Sequence, residues 1–465
     1  MWAAIKKSNP RRYKHIVLVI YVLSAQWSWA QDFELMRFDE DYSEWKDSAA
    51  TFYNRIKYIP FTDGGNTYLS LGGEVRGEFN HAVNEDWGET GVGRDVFLLQ
   101  RYHVHADVHF GNRVRFFGQL RSGLEDGRKH GPRGVDEDRL NVQNLFVDVV
   151  PYEKPARSLT LRVGRQELRY GSGRLIDVRD GPNLRLYVDG VKVSYTSPRL
   201  KVDAFVMADA IVNTGVFDNA STRKANLWGI YNTYILPDGS QVDGYYLGIN
   251  RVDAVFDEGV GNETRHMLGA RVSRNSDGFA YNFETGYQFG KFGLANIGAW
   301  AVSSEIGYTF DYTKGAPTLK LRSDYISGDK AVGDGKLGTF NAMYPKGGYF
   351  GMNPQVGPAN LIAVHPNLAW NPHEDVELTM EVVFNWRSST EDGIYGPSGA
   401  FSISAANLDD SYIGTAYVTT MSWYINGFLS YNMGVQYFKT GRFINSVIPR
   451  HKDGFFVGLA LEFKF

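Results

Sequence analysis

The last twelve residues, GFFVGLALEFKF, constrain the fold more than any other stretch. Phe455, Val457, Leu459, Leu461, Phe463 and Phe465 fall on one face, and the chain ends on a phenylalanine. An apolar period of two is the mark of a strand with one greasy side. Such a strand cannot stand as an open edge in lipid, so it must pair with another and close a sheet. The same alternation begins at Tyr68. In YLSLGGEVRGEFN, Leu69, Leu71, Val75 and Phe79 oppose Ser70, Gly72, Glu74, Arg76, Glu78 and Asn80. The next segment sets Arg101, His103, His105, Asp107 and His109 against Val104, Ala106, Val108 and Phe110. The third sets Arg113, Arg115, Gln119 and Arg121 against Val114, Phe116 and Leu120. About 18 segments of this kind run from 67–82 to 454–465, the weakest at 358–369.

Connections alternate in length. Gly111-Asn112, Ser197-Pro198, Ser276-Asp277 and Asn426 mark tight hairpins. The links 83–94, 125–139, 169–184, 210–223, 327–357, 388–410 and 439–453 are long, and the short link 291–293 breaks the rule. Short turns on one side and long loops on the other belong to outer-membrane barrels. Aromatics such as Phe279, Tyr281, Tyr287, Phe289, Trp423 and Tyr424 suit interfacial girdles. A soluble sandwich or propeller would need a blade-like repeat, and none is visible. The expected fold class is therefore all-β, a transmembrane antiparallel β-barrel of about 18 strands with a short N-terminal segment before the first.

The chain has no cysteine, 51 glycines and 14 % aromatics, which suits export without disulfides. Lys6, Lys7, Arg11, Arg12 and Lys14 precede an apolar run from Ile16 to Ala25, and Ser28-Trp29-Ala30 supplies small residues at a cleavage site. Residues 1–30 thus read as a signal peptide, too short in its apolar run to span a membrane. Residues 31–66 read as a periplasmic or plug segment with a short amphipathic helix or ordered tail, and 67–465 as the barrel. The net charge of −3 implies no nucleic-acid partner.

About 18 strands enclose an aqueous lumen, which the polar faces must line. Its arginines are concentrated early: Arg76, Arg101, Arg113, Arg115 and Arg121, then Arg162, Arg165, Arg169, Arg174, Arg179 and Arg185 between Leu161 and Gly190. Guanidinium groups grip carboxylates with two bonds and keep their charge, so a strip of them in a confined channel favours anions. The alternative is that they pair with lumen acids and stiffen the wall. Arg165 shares the lipid-facing parity of Leu161 and Val163, so either a bulge intervenes or the span has already ended there. Same-face neighbours on a strand are too far apart to share an ion readily, so His103, His105, Asp107 and His109 read as lumen lining rather than a metal site. Gly171-Ser172-Gly173 lets its loop turn inward. No G-x-S-x-G occurs and no catalytic triad is legible, so neither an enzyme nor a cofactor is expected.

The stretch GRQELRYGSGRLIDVRDGPNLRLYVDGVKVSY at 164–195 resembles the signature region of the alginate export family of outer-membrane barrels. RFDEDYSEWKD at 37–47 and KYIPFTDGGNTYLSLGGEVRGEFN at 57–80 resemble it too. The resemblance implies 18 strands and an electropositive pore for an anionic polysaccharide, with Arg165, Arg169, Arg174, Arg179 and Arg185 on or near an inward loop. The closing strand, ending on Phe465, separately resembles the signal that outer-membrane barrels present to their insertion machinery. The expected protein is a monomeric channel in the outer membrane of a Gram-negative bacterium, passing an anionic polysaccharide or oligosaccharide passively. A porin for small anionic solutes and a loop-plugged receptor or adhesin are the rivals. The loop 327–357 is long enough to fold into the pore or to reach outward.

Overall fold

A computed structural model describes residues 33–47, 51–62 and 65–465. The signal-peptide reading of residues 1–30 lies outside the described residues. Eighteen strands form the wall. They are β1 Thr67–Val83, β2 Arg94–Phe110, β3 Val114–Asp126, β4 Asp138–Lys154, β5 Arg157–Gln166, β6 Val188–Thr196, β7 Leu200–Ile211, β8 Ala220–Ile235 and β9 Gln241–Phe256. There follow β10 Gly259–Ser276, β11 Phe279–Phe292, β12 Ala295–Thr309, β13 Thr318–Ile326, β14 Leu361–His373, β15 Val376–Trp386, β16 Tyr412–Tyr424, β17 Leu429–Thr440 and β18 Gly454–Lys464. Each pairs antiparallel with the next, and β18 pairs back onto β1 from Glu74↔Lys464 to Val83↔Phe455, which leaves no open edge. No helix among the described residues is long and apolar enough to cross a membrane; the chain crosses with strands.

Alternation sets the two faces. On β3, Phe116 and Leu120 are exposed while Phe117, Gln119 and Arg121 are buried. On β10, Leu268 faces out and Met267 in. Exposed aromatics form two belts. Phe110, Phe279, Tyr308, Trp423 and Tyr424 lie near the short turns, and Phe289, Trp300, Tyr325 and Tyr437 towards the long loops. Ten residues separate Phe279 from Phe289, which on a tilted strand is about 25 Å of height, the thickness of an outer-membrane apolar band.

Two connections on the long-loop side are two-residue turns, 257–258 and 293–294, so the barrel rim is low there. Three long ones fold into the lumen: loop A (167–187), loop B (327–360) and loop C (387–411). Loops A and B pair through Ile176↔Tyr344, and their side chains share one buried cluster with the wall residues Phe205, Leu227, Tyr245 and Met267. The inward turn of loop A relies on Gly171 and Gly173, both at positive φ. A Cβ on the first would meet the Tyr231 hydroxyl at 2.6 Å.

The N-terminal segment is an ordered tail with two 3₁₀ turns (Arg37–Asp39, Ser43–Asp47) and one short helix, α1 (Phe52–Lys57). Thr51 caps α1 by accepting from the Asn54 N–H. Phe463, although it shares the lipid-facing parity of Leu459 and Leu461, is buried with Tyr53 and Phe428.

Candidate functional site

Loop A crosses the lumen from one wall to the other. At one end Arg101 of β2, fully buried, donates to Glu74 Oε1 (3.1 Å), to Asp180 Oδ1 (2.8 Å) and to the main-chain carbonyls of Asp180, Pro182 and Asn183. Arg76 donates to the carbonyls of Asp180, Gly181 and Pro182. At the other end Tyr170 stacks on Phe205 and Tyr231, Ser172 donates to Glu284, and Arg174 donates to the Tyr349 hydroxyl (2.7 Å) beside Glu284 and Asp324. Parallel strand faces supply these anchors because inward residues recur every second position.

Most of the sequence-predicted arginines are held by acids. Arg115 meets Asp107 at 2.7 Å, Arg121 meets Asp138 at 2.7 Å, and Arg162 grips both oxygens of Asp148. Arg169 lies 3.3 Å from Asp177, and Arg185 lies 2.9 Å from Glu167. Arg113 sits on the exposed turn before β3, bonded to the carbonyls of Val150 and Pro151, because the strand begins one residue later. The register of β4 and β5 runs unbroken through Leu145↔Arg165, so no bulge turns Arg165 inward. It pairs instead with Asp189 at 2.8 Å, on the outward parity at the end of the strand. His109 and Arg115 share Asp107. The one described group of His and acids close enough to share an ion is His373-Glu374-Asp375, on an exposed turn.

What stays open is a cavity of about 830 Å³ between the β1–β2 wall, the β16–β18 wall and the tips of all three loops. Arg76, Glu78, Asn80, Arg179, Lys346 and Glu462 line it with Met352, Phe97 and Leu99. Two of its cations differ from the rest. Among the described residues, neither Arg179 of loop A nor Lys346 of loop B has an acid within ion-pair reach; Arg179 donates to the Pro345 carbonyl, and Lys346 is exposed. Burial, with Arg251 close by, lowers the Arg179 pKa to about 10, still charged at neutral pH. Lys346, Arg251 and Tyr349 escaped sequence reasoning as site residues. The lysine heads KGGYFGMNP, but nothing in that stretch says which way the loop folds.

At the short-turn end, the N-terminal segment lies along the inside of the wall from β17–β18 to β5. Phe38 packs edge-on against the inward rings of Phe117 and Phe146, under the Arg162 guanidinium. Some way along, Phe33 and Tyr53 pack on Phe428. Lys57 is fully buried over the rings of Tyr42 and Tyr53, 4.0 Å from Glu40. Gly72 makes room for it, since a Cβ there would meet its Nζ and the His105 ring, each at 2.5 Å. Burial and Arg37 lower Lys57 to about 7, against the pull of Glu40 and Asp107. The seated segment thus binds fewer protons than a free one between pH 7 and 10.5, and its seating is expected to tighten as pH rises through that window. Limited proteolysis at Arg37 and Lys46, normalised for protease activity, should be slower at pH 9 than at pH 7; equal rates would contradict this.

Comparison with the curated proteins returned no match. Among solved structures the barrel is similar to OccK2 (OpdF) of Pseudomonas aeruginosa in complex with glucuronate, at TM-score 0.56 and 11 % identity, covering 85 % of this chain and 98 % of that one. It is likewise similar to OccAB1 of Acinetobacter baumannii (0.56, 12 %, 88 % and 99 %) and to a BenF-like porin of Pseudomonas fluorescens Pf-5 (0.57, 11 %, 85 % and 98 %). At such identities the likeness establishes the fold. The sequence model described as Alginate export matches residues 67–457, which is β1 through β17 and the start of β18. This 18-stranded barrel of the Gram-negative outer membrane therefore belongs to the alginate export family.

Proposed function

We propose that this outer-membrane channel passes carboxylate-bearing sugars, as single acidic units or as a threaded oligosaccharide, through the cavity beside loops A and B. The observation that carries the reading is the pair of cations without acid partners, Arg179 and Lys346, facing a wide cavity in the lumen. Arginines already bound to Asp107, Asp138 and Asp148 have spent their charge on the wall, so they add little net field to a passing solute. Unpaired cations in a confined channel lower the barrier for an anion. The apolar Met352, Phe97 and Leu99 beside them suit the carbon faces of a sugar ring. The resemblance of the fold to a porin crystallised with glucuronate agrees with this chemistry.

In planar bilayers under a KCl gradient, the wild-type channel should prefer chloride. The double variant Arg179→Gln/Lys346→Gln should lose most of that preference. Neutralising Arg115 and Arg162 should instead lower stability and leave selectivity nearly unchanged. Cation preference in the wild type, or an unaltered reversal potential in the double variant, would sink the reading. The small-anion porin is the second reading, favoured by how much of the lumen the loops fill. Slow permeation of glucuronate dimers relative to the monomer would select it.

A further inference from the structure

We propose that the N-terminal segment, Phe33–Asp47 with α1, is a movable plug that closes the inner mouth of the channel and must leave its seat for solute to pass. Its placement supports this first. The segment follows one arc of the wall at its short-turn end, from β3–β4, where Phe38 sits on Phe117 and Phe146, round to β17–β18, where Phe33 and Tyr53 meet Phe428 and Phe463. It thereby lies between the cavity above and the short-turn side below. It also touches loop A, since Arg185 donates to the Leu35 carbonyl at 2.7 Å.

The bonds that seat it are of an exchangeable kind. Arg37 donates to the Gly73 carbonyl (3.0 Å) and to an oxygen of the Phe465 terminal carboxylate (2.9 Å), clasping the seam where β1 meets β18. Arg115 donates to the Phe38 carbonyl at 2.7 Å. Only Arg37 reaches a carboxylate of the wall, the terminal one of Phe465; Arg115 and Arg185 hold the segment through its own main-chain carbonyls. A carboxylate is the stronger acceptor for a guanidinium, so these carbonyl contacts yield more readily than the Arg–Asp pairs that build the wall. Its link to the sheet is equally slight: Ile59 and Pro60 pair with only Leu69 and Tyr68. The aromatic seats, by contrast, are shape-specific, which defines one closed position. The wall is relieved to receive the plug at Gly72, where a side chain would collide with Lys57.

This inference does not rest on which solute passes, and its readout is total conductance rather than selectivity. The chain has no cysteine, so a pair can be introduced cleanly. Phe38→Cys/Phe146→Cys, whose rings lie 5.2 Å apart in the native chain, would be bridged with a cleavable bis-methanethiosulfonate. Bridging should reduce single-channel conductance at least fivefold, and reduction of the bridge should restore it. A second variant lacking residues 33–57, with its barrel verified by heat-modifiable gel migration, should conduct more than wild type without closures. Equal conductance with the bridge intact and cleaved would overturn the proposal. So would a folded deletion variant that conducts like the wild type.

Discussion

Replacing Arg101 with methionine is expected to lower the stability of the folded barrel by about 3–5 kcal/mol, the cost of removing one partner of a buried ion pair. Arg101 is fully buried and bridges two acids, Glu74 on the wall and Asp180 on loop A, while three further carbonyls of the same loop accept from it. Methionine fills similar volume and offers no donor. Glu74 would keep only His103, at 4.0 Å, and Asp180 would keep Arg185, at 3.7 Å. The loop tip from Asp180 to Asn183 would lose its charged fastening and retain Arg76 and the bonds of Asn183 to Gln100, Leu124 and Asp136. Urea unfolding in lipid vesicles, followed by tryptophan emission, gives the stability. The same variant in a bilayer should show noisy and larger conductance, because loop A borders the open cavity. Arg101→Lys should fall between the two, since one ammonium cannot reproduce the fork. A stability loss under about 1 kcal/mol would mean that the contacts of Arg76 and Asn183 hold the loop without Arg101.

The wall was legible because lipid imposes a strict rule. Every strand must alternate, and every edge must pair, so Phe455 to Phe465 announced both the last strand and its closure onto the first. Strand β14 gave the weakest signal for a physical reason. Pro366 and Pro372 interrupt it, and polar His365 and Asn367 follow each other closely. The pair of two-residue turns on the long-loop side has no counterpart in sequence: 291–293 looked like an exception, and Asp257-Glu258 looked like part of a longer link.

The lumen was legible only in part. Parity told which arginines point inward, and Arg101, Arg121 and Arg162 do so. Parity cannot tell which acid waits opposite, because Arg121 finds Asp138 through strand register and Arg101 finds Asp180 through a loop that crosses the barrel. Loops carry no periodicity, so the inward fold of KGGYFGMNP, and with it the position of Lys346, emerged only from the structure. The N-terminal stretch read as a short helix or a tail; of its aromatics at near-helical spacing, Tyr42, Trp45 and Tyr53 pack edge-on in one run that ends on Phe428, while Phe52 is exposed.

The outer face gives the sharpest test of the membrane placement itself. Leu268 lies at the middle of β10, exposed on the lipid side, with Met267 buried beside it. Leu268→Arg should cost about 2–4 kcal/mol, the penalty for a guanidinium at the bilayer midplane of a barrel. The strand partner at this height, Tyr287 on β11, is also exposed and offers no acid. An arginine at Val260, near the end of the same strand and just as exposed, should cost no more than about 1 kcal/mol, because headgroups and water reach it. The ratio of the two losses, measured by urea unfolding in vesicles of one lipid, therefore reports depth rather than strand propensity. Equal losses at the two sites would place the lipid boundary wrongly. A negligible loss at Leu268 would mean that this face is covered by protein, as in an oligomer, and the monomeric barrel expected from the sequence would be abandoned.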